Sequence, residues 1–348
     1  MPVPDSRYRL SIAPMVDITD KHFRRMCRFL TRKTLIYTEM IAAPAIINGN
    51  REKLLRYHEI EAPIAVQVAG SDKKEIGEAC RIIERYGFEE VNLNAGCPSL
   101  RVSEYDMGAS LMAYPNKVAD ISEAMLKNCT GPVTIKHRLG IDGRGLIPDE
   151  HRPLRDSYED LKEFVETVKR KGVNKFIIHA RIAILKGLNP GKNRSIPELD
   201  YDKVYRLKEE FPDLHIEMNG GIRTLESIKQ HLQKVDSVML ARVAYENPMI
   251  LAFLDDIIDC KKPETTMTRR RLIEHMIDYS RELEDNNERS IPILKHMYGL
   301  FHGKRGSRKW RQSIMPPYNT TKASGILMEA MQVIENEILD EVPDAKDF

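Results

Sequence analysis

Eight short apolar runs, separated by longer polar and amphipathic stretches, constrain this chain more than any other feature. They are Leu10–Ala13, Thr34–Thr38, Ile64–Val68, Val91–Leu93, Val133–Ile135, Lys175–Ile178, His215–Met218 and Ser237–Leu240. Amphipathic patterns between them predict helices at Lys74–Tyr86, Tyr158–Lys171, Asp202–Glu210 and Leu225–Leu232. Eight strand–helix units over about 245 residues predict a (β/α)8 TIM barrel, whose usual length is roughly 250. A doubly wound open sheet gives a similar pattern, so the count alone does not decide.

The residues that close the strands sharpen the fold. Gln67, Asn94, Lys136 and His179 end the third to sixth runs, Asn219-Gly220-Gly221 follows the seventh, and Ala241-Arg242 follows the eighth. Taken singly, such a residue is usually a solvated terminus, Lys136 a snorkelling side chain and His179 a hydrogen-bonded core histidine. In a barrel they all face one mouth, where active sites are built. Gly220-Gly221 and Arg242 occupy the two strand ends that commonly hold phosphate in this fold. Lys136 and Gln67 would meet the other end of such a ligand as a charge and a hydrogen-bonding amide.

The run Val91-Asn92-Leu93-Asn94-Ala95-Gly96-Cys97-Pro98-Ser99 places a thiol in a sharp turn at the same face. Gly96 permits the turn, Pro98 restricts it, and Asn94 brings an amide beside the sulfur. A cysteine most often fills apolar space, but one held between Gly and Pro at a strand end points to chemistry.

Composition excludes several classes. The 348 residues, 42% hydrophobic and 30% charged, supply a sizeable core for one large domain and a smaller one. No apolar stretch reaches a membrane span, and the N-terminus lacks a signal-peptide pattern, so a cytoplasmic location is expected. Cys27, Cys80, Cys97, Cys129 and Cys260 are scattered and form no C-x-x-C pair, against a disulfide framework or a zinc site. After Pro248 the barrel pattern ends and Lys261-Lys262-Pro263-Glu264 reads as a linker; Thr268–Leu283 and Lys322–Leu339 then predict a small helical bundle. From Arg289 to Met328 there is no acid, while Lys295, Lys304, Arg305, Arg308, Lys309, Arg311 and the one tryptophan, Trp310, fall in that interval. A short basic cluster is usually a solvated helix end; this length without an acid favours phosphate contacts, with Trp310 available for stacking.

Ala13-Pro14-Met15, Asn94-Ala95-Gly96-Cys97-Pro98-Ser99, His179-Ala180-Arg181 and Asn219-Gly220-Gly221 together resemble the tRNA-dihydrouridine synthases. The segments Leu35–Met40, Lys186-Gly187-Leu188, Asn193–Pro197 and Tyr298–Phe301 look closest to the bacterial A-type branch. The resemblance implies an FMN-binding barrel over residues 1–248, a linker over 249–265 and a helical tRNA-binding domain over 266–348. It implies tightly bound FMN, NADPH as electron donor, and reduction of a D-loop uridine at position 20 and/or 20a. No protein partner is implied and a monomer is expected. Carried over by position, Pro14, Met15, Val16, Gln67, Lys136, His179, Asn219, Gly220, Gly221, Ala241 and Arg242 would hold the flavin. Cys97 matches the family's proton donor, and Asn94, Arg181, Lys186, Asn193, Arg305 and Arg308 are candidate RNA contacts.

Three departures stand out: Ala241 where Gly is usual, whose methyl would push the phosphate; His137 beside Lys136, expected to alter the loop at the flavin; and a long stretch Asp142–Asp156 that reads as a mobile loop without an assigned role. The chemistry fits the residue types. Hydride addition at C6 of uracil leaves an enolate whose C5 needs a proton, and a thiol of ordinary pKa about 8.5 is protonated at neutral pH. Two other readings stay open: a barrel flavoenzyme reducing a free pyrimidine or another enone, similar to the dihydroorotate dehydrogenases, and a non-catalytic tRNA-binding protein.

Overall fold

The computed structural model describes residues 8–99, 107–315 and 322–348. All eight runs form strands: β1 Leu10–Ile12, β2 Leu35–Ala42, β3 Ile64–Ala69, β4 Glu90–Ala95, β5 Val133–Arg138, β6 Lys175–His179, β7 His215–Asn219 and β8 Ser237–Leu240. Each pairs in parallel with its sequence neighbours, and β8 closes on β1 through Leu10↔Val238 and Ile12↔Leu240. This is a (β/α)8 barrel, not an open sheet.

Alternation along each strand sorts the residues. Ile12, Val66, Leu93, Ile135, Ile178, Met218 and Leu240 face outward into the main core against the helices. The inward set carries Ser11, Tyr37, Gln67, Asn92, Asn94, Thr134, Lys136, Lys175, His179, Glu217 and Asn219 among smaller apolar residues. Helices dock by an i, i+3, i+4, i+7 stripe. In Lys21–Leu30 it is Phe23, Met26, Cys27 and Leu30; in Tyr158–Lys169 it is Leu161, Phe164, Val165 and Val168. Asp20 caps the first through the N–H groups of His22 and Phe23, and Ser157 caps the second in a capping box with Asp160. Losing one such ring, as in Phe164→Ala, would cost about 3–5 kcal/mol.

The chain departs from its sequence reading in three places. The expected linker 249–265 is packed structure through Ile258: Met249, Ile250, Phe253 and Leu254 are buried, and Asp255 accepts hydrogen bonds from Thr31 Oγ1 (2.6 Å) and the backbone N–H of Arg32 (2.8 Å). Asp142–Asp156 is built into a three-stranded sheet, Ile141–Asp142 pairing antiparallel with Leu154–Arg155 and parallel with Ala183–Ile184. The segment packs closely on the chain that leads into it, since a Cβ on Gly140 would lie 2.0 Å from the Arg155 carbonyl oxygen. Lys322–Leu339 is two helices, Ala323–Gln332 and Asn336–Leu339, interrupted where β-branched Val333 and Ile334 follow each other.

Beyond the barrel, Arg269–Asp285, Ser307–Ser313 and Ala323–Gln332 form the helical region. Trp310 is fully buried, donates Nε1–H to the Met297 carbonyl (2.8 Å) and packs on Phe301, so it is core and no stacking platform. Residues 316–321 of the acid-free interval lie outside the described residues. No described helix is long and apolar enough to cross a membrane.

Candidate active site

A cavity of about 750 Å³ opens at the carboxyl end of the barrel. Every flavin candidate lines it: Pro14, Met15 and Val16 from the loop after β1, then Gln67, Lys136, His179, Asn219, Gly220, Gly221, Ala241 and Arg242. Asn94 and Cys97 line it as well. The convergence follows from the barrel, because inward positions at the ends of six strands meet there. A smaller cleft of about 400 Å³, lined by Glu90, Lys175 and His215, lies at the opposite end. Barrel chemistry belongs to the carboxyl face.

Asn94 builds the thiol's turn. Its Oδ1 accepts the backbone N–H of Gly96 (3.1 Å) and of Cys97 (3.0 Å), and its Nδ2 donates to Gln67 Oε1 (2.8 Å). Gln67 Nε2 donates to Asn92 Oδ1 (2.7 Å), and Asn92 Nδ2 to Thr134 Oγ1 (2.7 Å). A chain of amides therefore runs from the thiol into the barrel, ending at Glu90, which Lys175 bridges (2.9 Å). Arg138 locks the turn from the other side, donating Nε–H to the Gly96 carbonyl (3.0 Å) and Nη1–H to the carbonyls of Ile182 and Asn193 (3.0 Å each). Cys97 itself is half-buried and free.

The electrostatics point one way. Lys136, Arg138, Arg194, Arg223 and Arg242 line the cavity, and among the described residues no Asp or Glu does. Lys136 donates to Asn219 Oδ1 (3.0 Å), and desolvation in the mouth, with the nearby Arg138 charge, brings its pKa down to about 8. Burial and the same cations push His179 well below the ordinary histidine value, so its ring is neutral. Of the five cations, Arg223 alone pairs with a carboxylate, Glu246 (2.7 Å), among the described residues. Glycine is required at 220 and 221 by φ values of +118° and +72°; a Cβ there would meet His179 and Leu199 at 2.7 and 2.5 Å.

The RNA candidates divide. Lys186 is exposed over Gly145, and Arg305 and Arg308 are exposed on the helical region, Arg305 paired with Glu335. Arg181 is buried and donates to the Pro197 carbonyl. Asn193 is fully buried, accepting the Ile184 N–H (2.8 Å) and donating to the Ile184 carbonyl (2.8 Å); its amide clasps its own loop. His137 corrects a second expectation: its ring points outward, against Phe164 and Phe176, away from the cavity. Arg138, Arg194 and Arg223 were missed. For Arg138 a signal existed, since Thr134, Lys136 and Arg138 recur with period two on the inward face of β5.

A (β/α)8 barrel with a thiol and five cations around the cavity at its carboxyl mouth has the make-up of a barrel enzyme whose site suits an anionic ligand. The particular family follows from comparison with known proteins. The family model "Dihydrouridine synthase (Dus)" matches residues 11–338, and the chain belongs to that family. It is 47% identical over 305 residues to the tRNA-dihydrouridine(20/20a) synthase of Synechocystis sp., covering 88% of each chain. The Escherichia coli O6:H1 protein of the same name is 43% identical over 335 residues, covering 95% of this chain and 96% of its own. That of Shewanella oneidensis is 44% identical over 302 residues, covering 87% and 86%.

Proposed function

We propose that this chain reduces the C5=C6 bond of a D-loop uridine in tRNA, at position 20 and/or 20a, using tightly bound FMN and electrons from NADPH. The observation that carries the reading is the cavity of about 750 Å³ that joins five cations, no carboxylate among the described residues, and the Cys97 thiol. The residues fit FMN by their donor chemistry. Arg242 and the backbone at Gly220 and Gly221 suit a phosphate, Lys136 and neutral His179 suit the ring and ribityl chain, and Met15 and Val16 offer an apolar wall. Bound and reduced, FMN supplies the hydride.

The chain's own residues do the rest. Cys97 holds a proton at Sγ and delivers it to C5 as C6 receives hydride, so both ends of the double bond are filled. Asn94 and Arg138 fix the turn that aims Sγ, leaving it little freedom to wander. The target base must be extruded from its stack to reach the mouth. Lys186 on the barrel rim and Arg308 on the helical region are the exposed cations for the phosphate backbone.

The test is Cys97→Ala. The variant keeps FMN and tRNA binding and loses dihydrouridine formation by about 10²-fold or more. Undiminished activity removes the acid assignment. A purified wild-type protein that binds no flavin, or reduces free uridine as well as tRNA, overturns the reading.

A further inference from the structure

The loop after β1 presents Met15 and Val16 to the cavity and turns back at Asp17. Met15 closes that turn on Thr19, its N–H reaching Thr19 Oγ1 (3.0 Å) and its carbonyl accepting the Thr19 N–H (2.9 Å). Asp17, next to Val16, has φ +64°, a left-handed conformation that a non-glycine residue adopts when its surroundings hold it there. Two ties do so. Glu39 of β2 accepts the Asp17 N–H at 2.5 Å. Lys295 donates to the Asp17 carbonyl at 2.8 Å and pairs with Asp20 at 2.8 Å.

Lys295 belongs to the helical region, in the segment Ile291–Met297, and is 278 residues from Asp17. Its neighbour His296 is buried and bonds the other oxygen of the same Asp20 carboxylate (2.8 Å). Asp20 is also the cap of the first barrel helix. One short helical segment therefore grips both the strained apex of a cavity wall and the helix that follows it. Lys295 stands in the acid-free interval that reads as an RNA surface and its side chain is 40% exposed, yet its ammonium is engaged by Asp17 and Asp20 of the barrel.

We propose that Lys295 is a positioning residue: it fixes the cavity-facing form of the β1 loop from the helical region, so the segment that orients tRNA also sets the wall against which the reaction occurs. The inference rests on the function proposed above. It predicts a rate effect without a change in tRNA affinity, the opposite of a phosphate contact.

The experiment compares Lys295→Met, which keeps the stem, with Lys295→Arg, which keeps a donor, in the FMN-loaded full chain. Lys295→Met should lower the single-turnover rate at saturating tRNA by about tenfold, the scale expected for a small misplacement. Its tRNA Kd and salt slope should stay at wild type while its FMN affinity weakens, and Lys295→Arg should restore most of the rate. Glu39→Ala, which removes the other tie, should give the same signature and serves if Lys295→Met unfolds. A raised Kd with a salt slope smaller by about one unit, and an unchanged rate, would make Lys295 a phosphate contact and overturn the proposal. Unchanged rate, Kd and FMN affinity together overturn it too. If the wild type forms no dihydrouridine, the proposed function fails, while FMN affinity still reports on the loop.

Discussion

Lys136 shows what one residue contributes. Its ordinary pKa of 10.5 falls to about 8 because desolvation in the mouth and the Arg138 charge disfavour the ammonium. The sign follows for a base with a lowered value. Between about 8 and 10.5 the folded, ligand-free protein holds fewer protons than the unfolded chain, so its stability rises with pH across that window. Ring and ribityl oxygens accept hydrogen bonds from the ammonium, so bound FMN favours the protonated form, and FMN affinity should be level below about 8 and weaken as pH rises through that value. Titrating apoprotein with FMN from pH 7 to 9 by flavin fluorescence checks this; a flat affinity would detach Lys136 from the flavin. His179 is neutral throughout and adds no limb near pH 6. Polar residues ending apolar strands were readable because strand periodicity puts them on the inward face of a barrel. Arg194 and Arg223 were not, since both stay exposed and an arginine on a loop looks merely solvated until tertiary structure sets it at the cavity rim. Buried Asn193 and Arg181 show the converse, motif residues whose side-chain hydrogen bonds go to backbone in their own loop.

Among elements, the small sheet beside the mouth was the least legible. Gly, Pro and charge over Asp142–Asp156 resemble a loop locally, and two-residue strands carry no periodicity to contradict that. What organises them is non-local: Gly143 N–H donates to the Pro153 carbonyl (2.7 Å), and Ala183 N–H to that of Gly140 (2.9 Å). The sheet joins the β5 loop to the β6 loop, where Arg138 reaches the Ile182 and Asn193 carbonyls. Gly140→Ala tests the packing. A methyl 2.0 Å from a carbonyl oxygen forces backbone apart and should cost about 1–3 kcal/mol by urea unfolding. Gly325→Ala, inside a helix with nothing within 4 Å of the added Cβ, should instead stabilise by about 0.5–1 kcal/mol. Equal effects would mean that close packing at Gly140 does not matter. The helices at Tyr158–Lys169, Tyr201–Glu210, Leu225–Leu232 and Arg269–Asp285 were legible to within a few residues, because stripe and length agree, whereas Lys21–Leu30 and Pro115–Asn128 were not read.

At the scale of the molecule, barrel and helical region share one apolar core, with Phe253 packing on Phe348 and the Leu225 N–H donating to the Phe348 carbonyl (2.8 Å). Charge is arranged across that body unevenly. Counting basic residues in the sequence overstates the free positive surface. Lys295 is spent on Asp20, Lys304 on Glu341 and Asp347, and Arg305 on Glu335. Arg308, Lys309 and Arg311 remain exposed without a carboxylate partner among the described residues. If that face neutralises tRNA phosphates, each free cation releases roughly one counterion, whereas a paired one must first exchange its carboxylate. Arg308→Ala should therefore weaken tRNA binding and lower its salt slope by about one unit. Glu335→Gln should act in the opposite sense, freeing Arg305 and tightening binding at low salt. Filter binding over a salt series measures both. An unchanged slope for Arg308→Ala, or weaker binding for Glu335→Gln, would put the tRNA on another face, with Lys186 at the barrel rim the next residue to replace.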